Sequence, residues 1–325
     1  MNPRPIFAIL FLLLFCASVP AAADELPSWT DGPVKTAILE WVAAVTDPGN
    51  EDFIPIPERI AVFDNDGTSS CERPRSLTSR CQLALLKNMA ERGEVDGEAM
   101  PISAFLAEDR DALRAFGWTE AYRVRNAAFA GWEVTAFADS VRAWVAGSAH
   151  PKFGVPYTEL YYSPMAELRD LLAAHDFKIW IVTGSTQAVI RAISESATGV
   201  PPERVIGSTS ATTYVVGEDG VGRVVRAEDQ MSNTYENKPP NIETRIGRRP
   251  VFAAGNSNND EPMSRYVMTG PQRGFALWIH HDDPEREYEY DRSTDRIARL
   301  VEEQADAHEV SMKADWVKVF GFEGE

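Results

Sequence analysis

Residues 60–74, "IAVFDNDGTSSCERP", decide the fold of this protein, because an apolar run ends there abruptly in two carboxylates. Ile60 to Phe63 have the composition of a short buried strand, and Asp64 and Asp66 follow at its carboxyl end. Two like charges this close repel each other and must be held by water, by hydrogen bonds or by a cation. The residues alone allow two interpretations: a surface turn, since Asn, Asp and Gly favour turns, or a metal-assisted active site.

Two later apolar runs also end in polar residues that suit chemistry. In "IWIVTGSTQ" the run ends at Thr183 and Gly184, where hydroxyl and backbone N–H groups before a helix can bind an anion. The run in "VFAAGNSNNDEP" is followed by two amides and a carboxylate, Asn256, Asn259 and Asp260. Lys238 lies between the two runs. Each feature alone also fits an N-cap, an Asn-rich turn or a solvated lysine. Ligands bind outside the carboxyl ends of strands in open α/β sheets, so the set together predicts one site, with oxygen ligands that suit Mg²⁺.

The order of strand and helix signals predicts the architecture. Strands such as "KIWIVTG", "RVIGST", "PVFAAGN" and "GFALWIHH" alternate with single helices, which is typical of a three-layer α/β/α, Rossmann-like fold with a parallel sheet. Helix formers dominate the segment after the first strand, so an all-helical cap is expected there. We therefore predict a core domain of residues 24–75 and 151–325 and a helical cap of residues 76–150. His280 and His281 are expected in a polar loop after the last of these strands.

The amino-terminal residues 1–23 have the pattern of a secretory signal peptide. Arg4 precedes an apolar run from Ile6 to about Val19, and an Ala-x-Ala cleavage site ends at Ala23. A membrane anchor is the alternative, but the run is shorter than the roughly 20 residues that a spanning helix needs. We expect cleavage near Ala23 and a periplasmic or secreted mature protein.

The charge balance restricts the partners of this protein. The chain of 325 residues has 49 acidic residues against 32 basic ones, a formal net charge of −17. A field of this sign repels nucleic-acid backbones and anionic lipid surfaces. We therefore expect neither nucleic acid nor a membrane as partner of the mature protein, and an anionic substrate would have to be attracted by local cations.

Two cysteines remain after the predicted cleavage, since Cys16 leaves with the signal peptide. Cys71 and Cys81 lie ten residues apart, directly after the two carboxylates. In an oxidising compartment such a pair can form a disulfide that fastens the loop beside the site. Two reduced thiols at chance spacing are the alternative.

The order of motifs resembles that of the haloacid dehalogenase superfamily of hydrolases: D-x-D-G-T, then T-G-S, then Lys, then G-N-S-x-x-D. A helical insert directly after the first motif is similar to the C1-capped branch that includes phosphoserine phosphatases. "FDNDGT", "HPKFGVPYTELYYSPM", "IGRRPVFAAGNSNND" and "HHDDPEREYEYDR" resemble an exported bacterial group of these phosphatases. The resemblance covers nearly all of the mature chain, and it implies a phosphatase of unsettled substrate.

The resemblance also implies roles for the first carboxylates and their cation. Asp64 would be the nucleophile that forms an aspartyl-phosphate, and Asp66 would be the general acid and then the general base. Mg²⁺ would be held by the Asp64 carboxylate and the Asp66 backbone carbonyl. Thr183, with Gly184, and Lys238 would bind the phosphoryl oxygens, and Lys238 would also restrain the charge of Asp64.

The last motif supplies the remaining implied residues and the departures from the family pattern. Asn259 would contact phosphate, and Asp260 would orient the metal or its water. Asn256 stands where many members have an aspartate that coordinates the metal, so one negative charge is missing. Glu72 lies one residue short of the glutamate that binds the substrate amine in phosphoserine phosphatases, which makes it a candidate substrate ligand.

Three functions compete at this stage. The leading hypothesis is a Mg²⁺-dependent phosphomonoesterase for a small organic phosphate, because a cap beside the nucleophile tends to exclude macromolecules. A 2-haloacid dehalogenase needs the nucleophile Asp64 but neither a metal nor an acid at Asp66. A relative that binds a phosphate ligand or partner without turnover has only Asn256 in its favour.

Overall fold

The computed structural model describes residues 25–291 and 293–323 of the chain, so the predicted signal peptide lies outside the described residues. One sheet of eight strands organises the described part. Its strands are β1 (Ile60–Phe63), β2 (Lys178–Thr186), β3 (Val205–Val216), β4 (Gly222–Met231), β5 (Phe252–Gly255), β6 (Phe275–Asp282), β7 (Glu289–Tyr290) and β8 (Ala307–Ser311).

The strand order is β4-β3-β2-β1-β5-β6-β7, and β8 also pairs with β6. All pairs from β3 through β6 to β8 are parallel, whereas β4 and β7 are antiparallel to their neighbours. At the centre, Phe63 of β1 is in register with Ile181 of β2 and Ala254 of β5. The three strands therefore end close together, and the residues that follow them meet at one edge of the sheet.

Twelve helices surround the sheet in the described residues. They are α1 (Pro33–Thr46), α2 (Leu77–Glu91), α3 (Ile102–Leu106), α4 (Arg110–Phe116), α5 (Trp118–Ala127), α6 (Val134–Ala146), α7 (Ser163–Ala174), α8 (Gln187–Thr198), α9 (Lys238–Ile246), α10 (Glu261–Met268), α11 (Asp295–Glu303) and α12 (Met312–Asp315). A proline in the first turn starts α7, α9 and α10, where its missing N–H costs no hydrogen bond. Among the described residues, no helix is both long enough and apolar enough to cross a bilayer.

Alternate residues of β1 enter different hydrophobic clusters, as the pleat of a strand requires. Ala61 and Phe63 pack with residues of α1, α7 and α8 on one face of the sheet. Val62 packs with Ile242 of α9 and Met263 of α10 on the other face. A sheet covered by helices on both faces confirms the predicted α/β fold with a parallel sheet.

The chain between β1 and β2 forms helices α2 to α7, and α2 to α6 lie in the segment predicted to be helical. It has a small hydrophobic cluster of its own that includes Leu86, Phe105 and Leu113. The segment also contacts the β3–β4 hairpin, because Arg226 exchanges backbone hydrogen bonds with residues 131 and 132 at 2.8 and 2.9 Å. The division of the chain into core and cap at residues 75 and 150 stays a prediction.

The carboxyl-terminal part differs from the sequence-based expectation. His280 and His281 lie within β6 rather than in a polar loop. His281 is buried. Strands β7 and β8 and helices α11 and α12 were not predicted. Strand β7 spans two residues, too few to show the alternation by which a strand is recognised.

Trp41 is the best single test of this packing, because its side chain is 1% exposed and its ring contacts Phe177, Phe252 and Phe275 at centroid distances of 5.3–5.9 Å. We expect Trp41→Ala to lower the free energy of unfolding by about 3–5 kcal/mol through lost burial and the cavity left behind. Urea titration followed by circular dichroism measures it. Ile56→Ala, at a residue 50% exposed, is the control and should change stability by less than about 0.5 kcal/mol. A loss below about 1 kcal/mol for Trp41→Ala would contradict the packing described.

Candidate active site

Asp64 is the first residue beyond β1, and the central strands hold it in place. Its backbone N–H continues the sheet ladder by donating to the carbonyl of Ala254 at 2.9 Å. The Ser69 hydroxyl donates to the Asp64 carbonyl at 2.7 Å, which folds the following loop back onto the strand end. The carboxylate of Asp64 is 4% exposed, so the site lies beneath the protein surface.

Lys238 joins the first and last motifs through a fully buried ammonium group. Its Nζ donates to Asp64 Oδ1 at 2.9 Å, to Asp260 Oδ1 at 2.6 Å and to the carbonyl of Val182 at 2.8 Å. These three acceptors use all three N–H groups of the side chain. The structure therefore brings Lys238 to Asp64 as predicted for its restraining role. A phosphoryl contact would have to share one of the same N–H groups.

The charges of this cluster do not balance, since two carboxylates share one ammonium. Burial, followed by the repulsion of Asp260, raises the pKa of Asp64 well above its usual range, against the opposing effect of Lys238. Burial alone would lower the pKa of Lys238, but Asp260 and Asp64 outweigh it and raise that pKa. Lys238 therefore stays charged, and when both carboxylates are ionised the site carries an excess of negative charge that a cation would neutralise.

Asp260 holds the loop that follows β5. Its Oδ2 accepts hydrogen bonds from the backbone N–H groups of Asn256 and Ser257, at 3.0 and 3.1 Å, while Oδ1 contacts Lys238. Both of its oxygens are thus engaged by the protein. This arrangement fits the predicted orienting role of Asp260 better than direct coordination of a metal.

Asp66 has two neighbours that the sequence analysis did not select. Ser185 Oγ donates to Asp66 Oδ2, and Asn65 Nδ2 donates to Asp66 Oδ1 at 3.0 Å. Tyr161 in turn donates to Asn65 Oδ1 at 3.3 Å. The signal for Ser185 was present, because it is the serine that ends the T-G-S motif, two residues after Thr183.

Thr183 and Gly184 lie within the last four residues of β2, and Asn259 lies close to Gly184. A Cβ at Gly184 would lie 3.3 Å from Asn259 Nδ2, so the amide of Asn259 lies directly over this glycine. Asn233 fixes the strand end from below, since its Nδ2 donates to the Thr183 carbonyl at 2.8 Å. Asn259 Oδ1 accepts a hydrogen bond from the Tyr235 N–H, whereas Nδ2 donates to no described residue. An unpaired donor over a glycine is suited to an anion.

Asn256 is buried and lies against the loop that follows Asp64, next to Gly67. Its Nδ2 donates to Glu72 Oε1 at 3.3 Å. Glu72 is itself 6% exposed and lies against the loop at Gly67. Its role as a ligand of a substrate amine stays a prediction. His281 of β6 lies behind the same loop, with Nε2 2.7 Å from the carbonyl of Gly67.

The donor set fits Mg²⁺, which takes a few protein oxygens and keeps several waters. Asp64 Oδ2 and Asn256 Oδ1 accept no hydrogen bond from any residue in the described part of the chain. With the backbone carbonyl of Asp66 they provide three hard oxygens of the predicted set. Over the described ranges, no cluster of three or more His, Cys, Asp and Glu side chains could hold a metal, so the ligands here would include a carbonyl and an amide.

The predicted disulfide is wrong for this structure, because Cys71 and Cys81 are both free and buried. Cys71 Sγ donates to the carbonyl of Arg73 at 3.5 Å, and Cys81 of α2 packs in the same hydrophobic cluster as Cys71. Spacing along the chain does not fix the distance and direction that two side chains need to form a disulfide.

The sequence model of one family, described as haloacid dehalogenase-like hydrolase, matches residues 61–265, which is more than half of the chain. This chain belongs to the haloacid dehalogenase-like hydrolase family. The match begins inside β1 and ends in α10, so it contains Asp64, Asp66, Thr183, Lys238 and Asp260. No curated protein matches the chain.

Solved structures that are similar to this hydrolase have low sequence identity to it. A conserved protein of unknown function from Anaerococcus prevotii is 14% identical, with a TM-score of 0.54, over 84% of this chain and 90% of that one. A protein of unknown function from Bordetella pertussis is 16% identical over 68% and 90% of the two chains, with a TM-score of 0.46. A probable phosphoserine phosphatase from Vibrio cholerae is 10% identical over 79% and 62%, with a TM-score of 0.37. The first of these supports the fold.

Because the pKa of Asp64 is raised, ionisation of this carboxyl group destabilises the folded protein. A neutral residue at this position avoids that loss of stability. Folded Asp64 has a pKa above its unfolded value near 3.9, so wild-type stability is lost as the pH rises through the folded pKa. In metal-free buffer we expect Asp64→Asn to be more stable than wild type at pH 7, by about 1–3 kcal/mol, and equally stable at pH 4 or below. Urea titrations across this range measure the difference. An Asp64→Asn variant less stable than wild type at pH 7 would contradict the charge excess.

Two free thiols are expected in a preparation that starts at Asp24 and therefore lacks Cys16. Burial, followed by Glu287, raises the pKa of Cys71, and burial raises the pKa of Cys81 to about 12. Ellman's reagent should react slowly with the folded protein and should titrate two thiols per chain in guanidinium chloride without reductant. A reduced sample is the control and should give the same number. No thiol before reduction and two after it would show that the disulfide exists.

Proposed function

We propose that this hydrolase is a Mg²⁺-dependent phosphomonoesterase that forms an aspartyl-phosphate on Asp64. The observation that carries the proposal is the state of the Asp64 carboxylate. Oδ1 is held by Lys238, while Oδ2 has no donor in the described residues and lies at the edge where three strands end. An oriented carboxylate with one unengaged oxygen is suited to nucleophilic attack.

In the first step, Asp64 Oδ2 attacks phosphorus and the bond from phosphorus to the leaving oxygen breaks. Asp66, in its acid form, gives its proton to that leaving oxygen, so an alcohol departs. Thr183 and Asn259 are the proposed ligands of the phosphoryl oxygens. Their support is the unpaired Asn259 Nδ2 over Gly184 and the position of Thr183 at the end of β2.

In the second step, Asp66 takes a proton from water, which attacks phosphorus and breaks the bond to Asp64. Phosphate leaves, and both aspartates return to their starting states. Ser185 can serve both states of Asp66, because a hydroxyl donates to a carboxylate and accepts from a carboxylic acid. Asn65 can only donate through Nδ2, which favours Oδ2 as the oxygen that carries the proton.

The bound Mg²⁺ would supply charge neutralisation between the carboxylate and the phosphate. We assign its protein ligands to the Asp64 carboxylate, the Asp66 carbonyl and Asn256 Oδ1, with Asp260 orienting its water. The support for the cation is the negative excess of the Lys238 cluster together with the two unpaired oxygens. Lys238 meanwhile limits the repulsion between Asp64 and an incoming phosphate.

We assign the substrate to small organic phosphates and the place of action to the periplasm or the exterior. Helices α2 to α6 begin at Leu77, thirteen residues after Asp64. Helices so near a nucleophile restrict the size of the substrates that reach it. The assignment of compartment rests on the amino-terminal signal pattern alone. A dehalogenase is less well supported, because it would leave Asp66 and its two hydrogen-bond donors without a role.

The proposal is tested with a preparation that starts at Asp24 and an aryl phosphate such as p-nitrophenyl phosphate. We expect turnover with Mg²⁺, none in EDTA, and a loss of at least about 1,000-fold in Asp64→Asn, because the variant lacks the nucleophile. Radioactive phosphate should label Asp64 through a bond that hydroxylamine cleaves. A panel of phosphorylated metabolites then ranks the substrates.

Two controls separate the competing functions. Halide release from 2-chloropropionate, with no need for Mg²⁺, would replace the phosphatase with a dehalogenase. Absence of turnover across the whole panel, with Mg²⁺ present and the protein folded, would leave a phosphate-binding protein. Ser185→Ala should retain the Asp64 label while slowing its hydrolysis, because it leaves Asp64 intact and removes one hydrogen-bond donor of Asp66.

A further inference from the structure

The amide at position 256 has an acidic partner far away in the sequence. Asn256 Nδ2 lies 3.3 Å from Glu72 Oε1, and the two residues are 184 positions apart. Both are buried, with 4% and 6% of their surfaces exposed. A carboxylate oxygen only accepts hydrogen bonds, so the amide must turn its NH₂ group toward Glu72 and its oxygen away from it.

The other neighbour of the amide does not compete for this NH₂ group. His281 Nε2 lies 3.5 Å from Asn256 Nδ2 and 2.7 Å from the carbonyl of Gly67. A carbonyl only accepts, so Nε2 carries a proton and cannot accept from the amide as well. Glu72 is therefore the acceptor that orients Asn256.

Gly67 allows this pair to close over the Asp64 loop. Its φ of +80° is in the left-handed region, and a Cβ there would lie 2.0 Å from Asn256 Nδ2 and 3.0 Å from Glu72 Oε1. The pair thus packs directly against the loop that carries Asp64 and Asp66. A change in the orientation of the amide would be transmitted to that loop.

We propose that Glu72 is a positioning residue that fixes the amide of Asn256, and that its carboxylate is the reason why an amide is required at position 256. A carboxylate at 256 would lie within hydrogen-bond distance of Glu72 in a buried site, where two like charges repel strongly. The amide avoids this repulsion and donates a hydrogen bond instead. Glu72 thereby presents to a cation Asn256 Oδ1, an oxygen that has no donor among the described residues.

The inference rests on the proposed function for its connection to Mg²⁺, but the pairing itself can be tested without metal or substrate. Four proteins form a cycle: wild type, Glu72→Gln, Asn256→Asp and the double variant. In EDTA at pH 7.5, we expect Asn256→Asp to lower the folding equilibrium constant at least tenfold. The double variant should return to within threefold of wild type, because a glutamine can donate to the new carboxylate. Urea titration measures all four.

Asn258 supplies a matched control on the same loop. It is also buried, and its Nδ2 donates to a different carboxylate, Asp295 Oδ1, at 2.7 Å. Asn258→Asp should lower stability in the same way, but Glu72→Gln should not restore it. If Glu72→Gln restored the stability of both variants, the effect would be a general one of charge and the pairing would be overturned. Additive effects of Glu72→Gln and Asn256→Asp on the free energy of unfolding would also overturn it.

The orientation of the amide is tested by Mg²⁺ binding, measured by titration calorimetry on the protein without substrate. Glu72→Gln and Glu72→Leu remove the same charge, but only glutamine keeps an oxygen that accepts from Asn256. We expect Glu72→Leu to bind Mg²⁺ at least fivefold more weakly than Glu72→Gln, with circular dichroism showing that both are folded. Equal dissociation constants would overturn the positioning role. Absence of Mg²⁺ binding in wild type would instead count against the proposed function and leave the stability cycle as the test of the pair.

Discussion

The contact on which the rest of the site depends is the buried ammonium of Lys238 between Asp64 and Asp260. These residues come from three distant parts of the chain, and parallel strands bring them together at one edge. One cation shared by two carboxylates leaves a negative excess in a buried place, which is costly unless another cation compensates it. The same contact that holds the strand ends together therefore also creates the electrostatic demand for a metal.

Around this centre, the side chains fall into a group that holds the scaffold and a group that remains available. Asp260, Asn233 and Ser69 have their hydrogen bonds satisfied within the protein and fix the loops after the strands. Asp64 Oδ2, Asn256 Oδ1 and Asn259 Nδ2 have no partner in the described residues. Polar atoms that are held in place beside a nucleophile but left without a protein partner indicate where substrate and cation belong.

Glu72 changes the interpretation of the unusual last motif. Judged from the sequence, an asparagine at 256 weakens the metal site by one charge and is the sole argument for an inactive relative. In the fold, the missing charge is found on Glu72, next to the amide. A carboxylate is thus present next to residue 256, and an amide at that position avoids repulsion between two like charges.

The sequence by itself determined the strands that carry the site, because apolar runs ending in polar residues are local patterns and parallel strands align their ends. It therefore predicted the sheet, the helical insert and the positions of Asp64, Thr183 and Lys238 at one edge. The partners of those residues were decided by the tertiary structure alone. Three features depend on side-chain direction and on packing between distant segments, which spacing along a chain does not encode: the Glu72–Asn256 contact, the position of His281 within a strand, and the free state of Cys71 and Cys81.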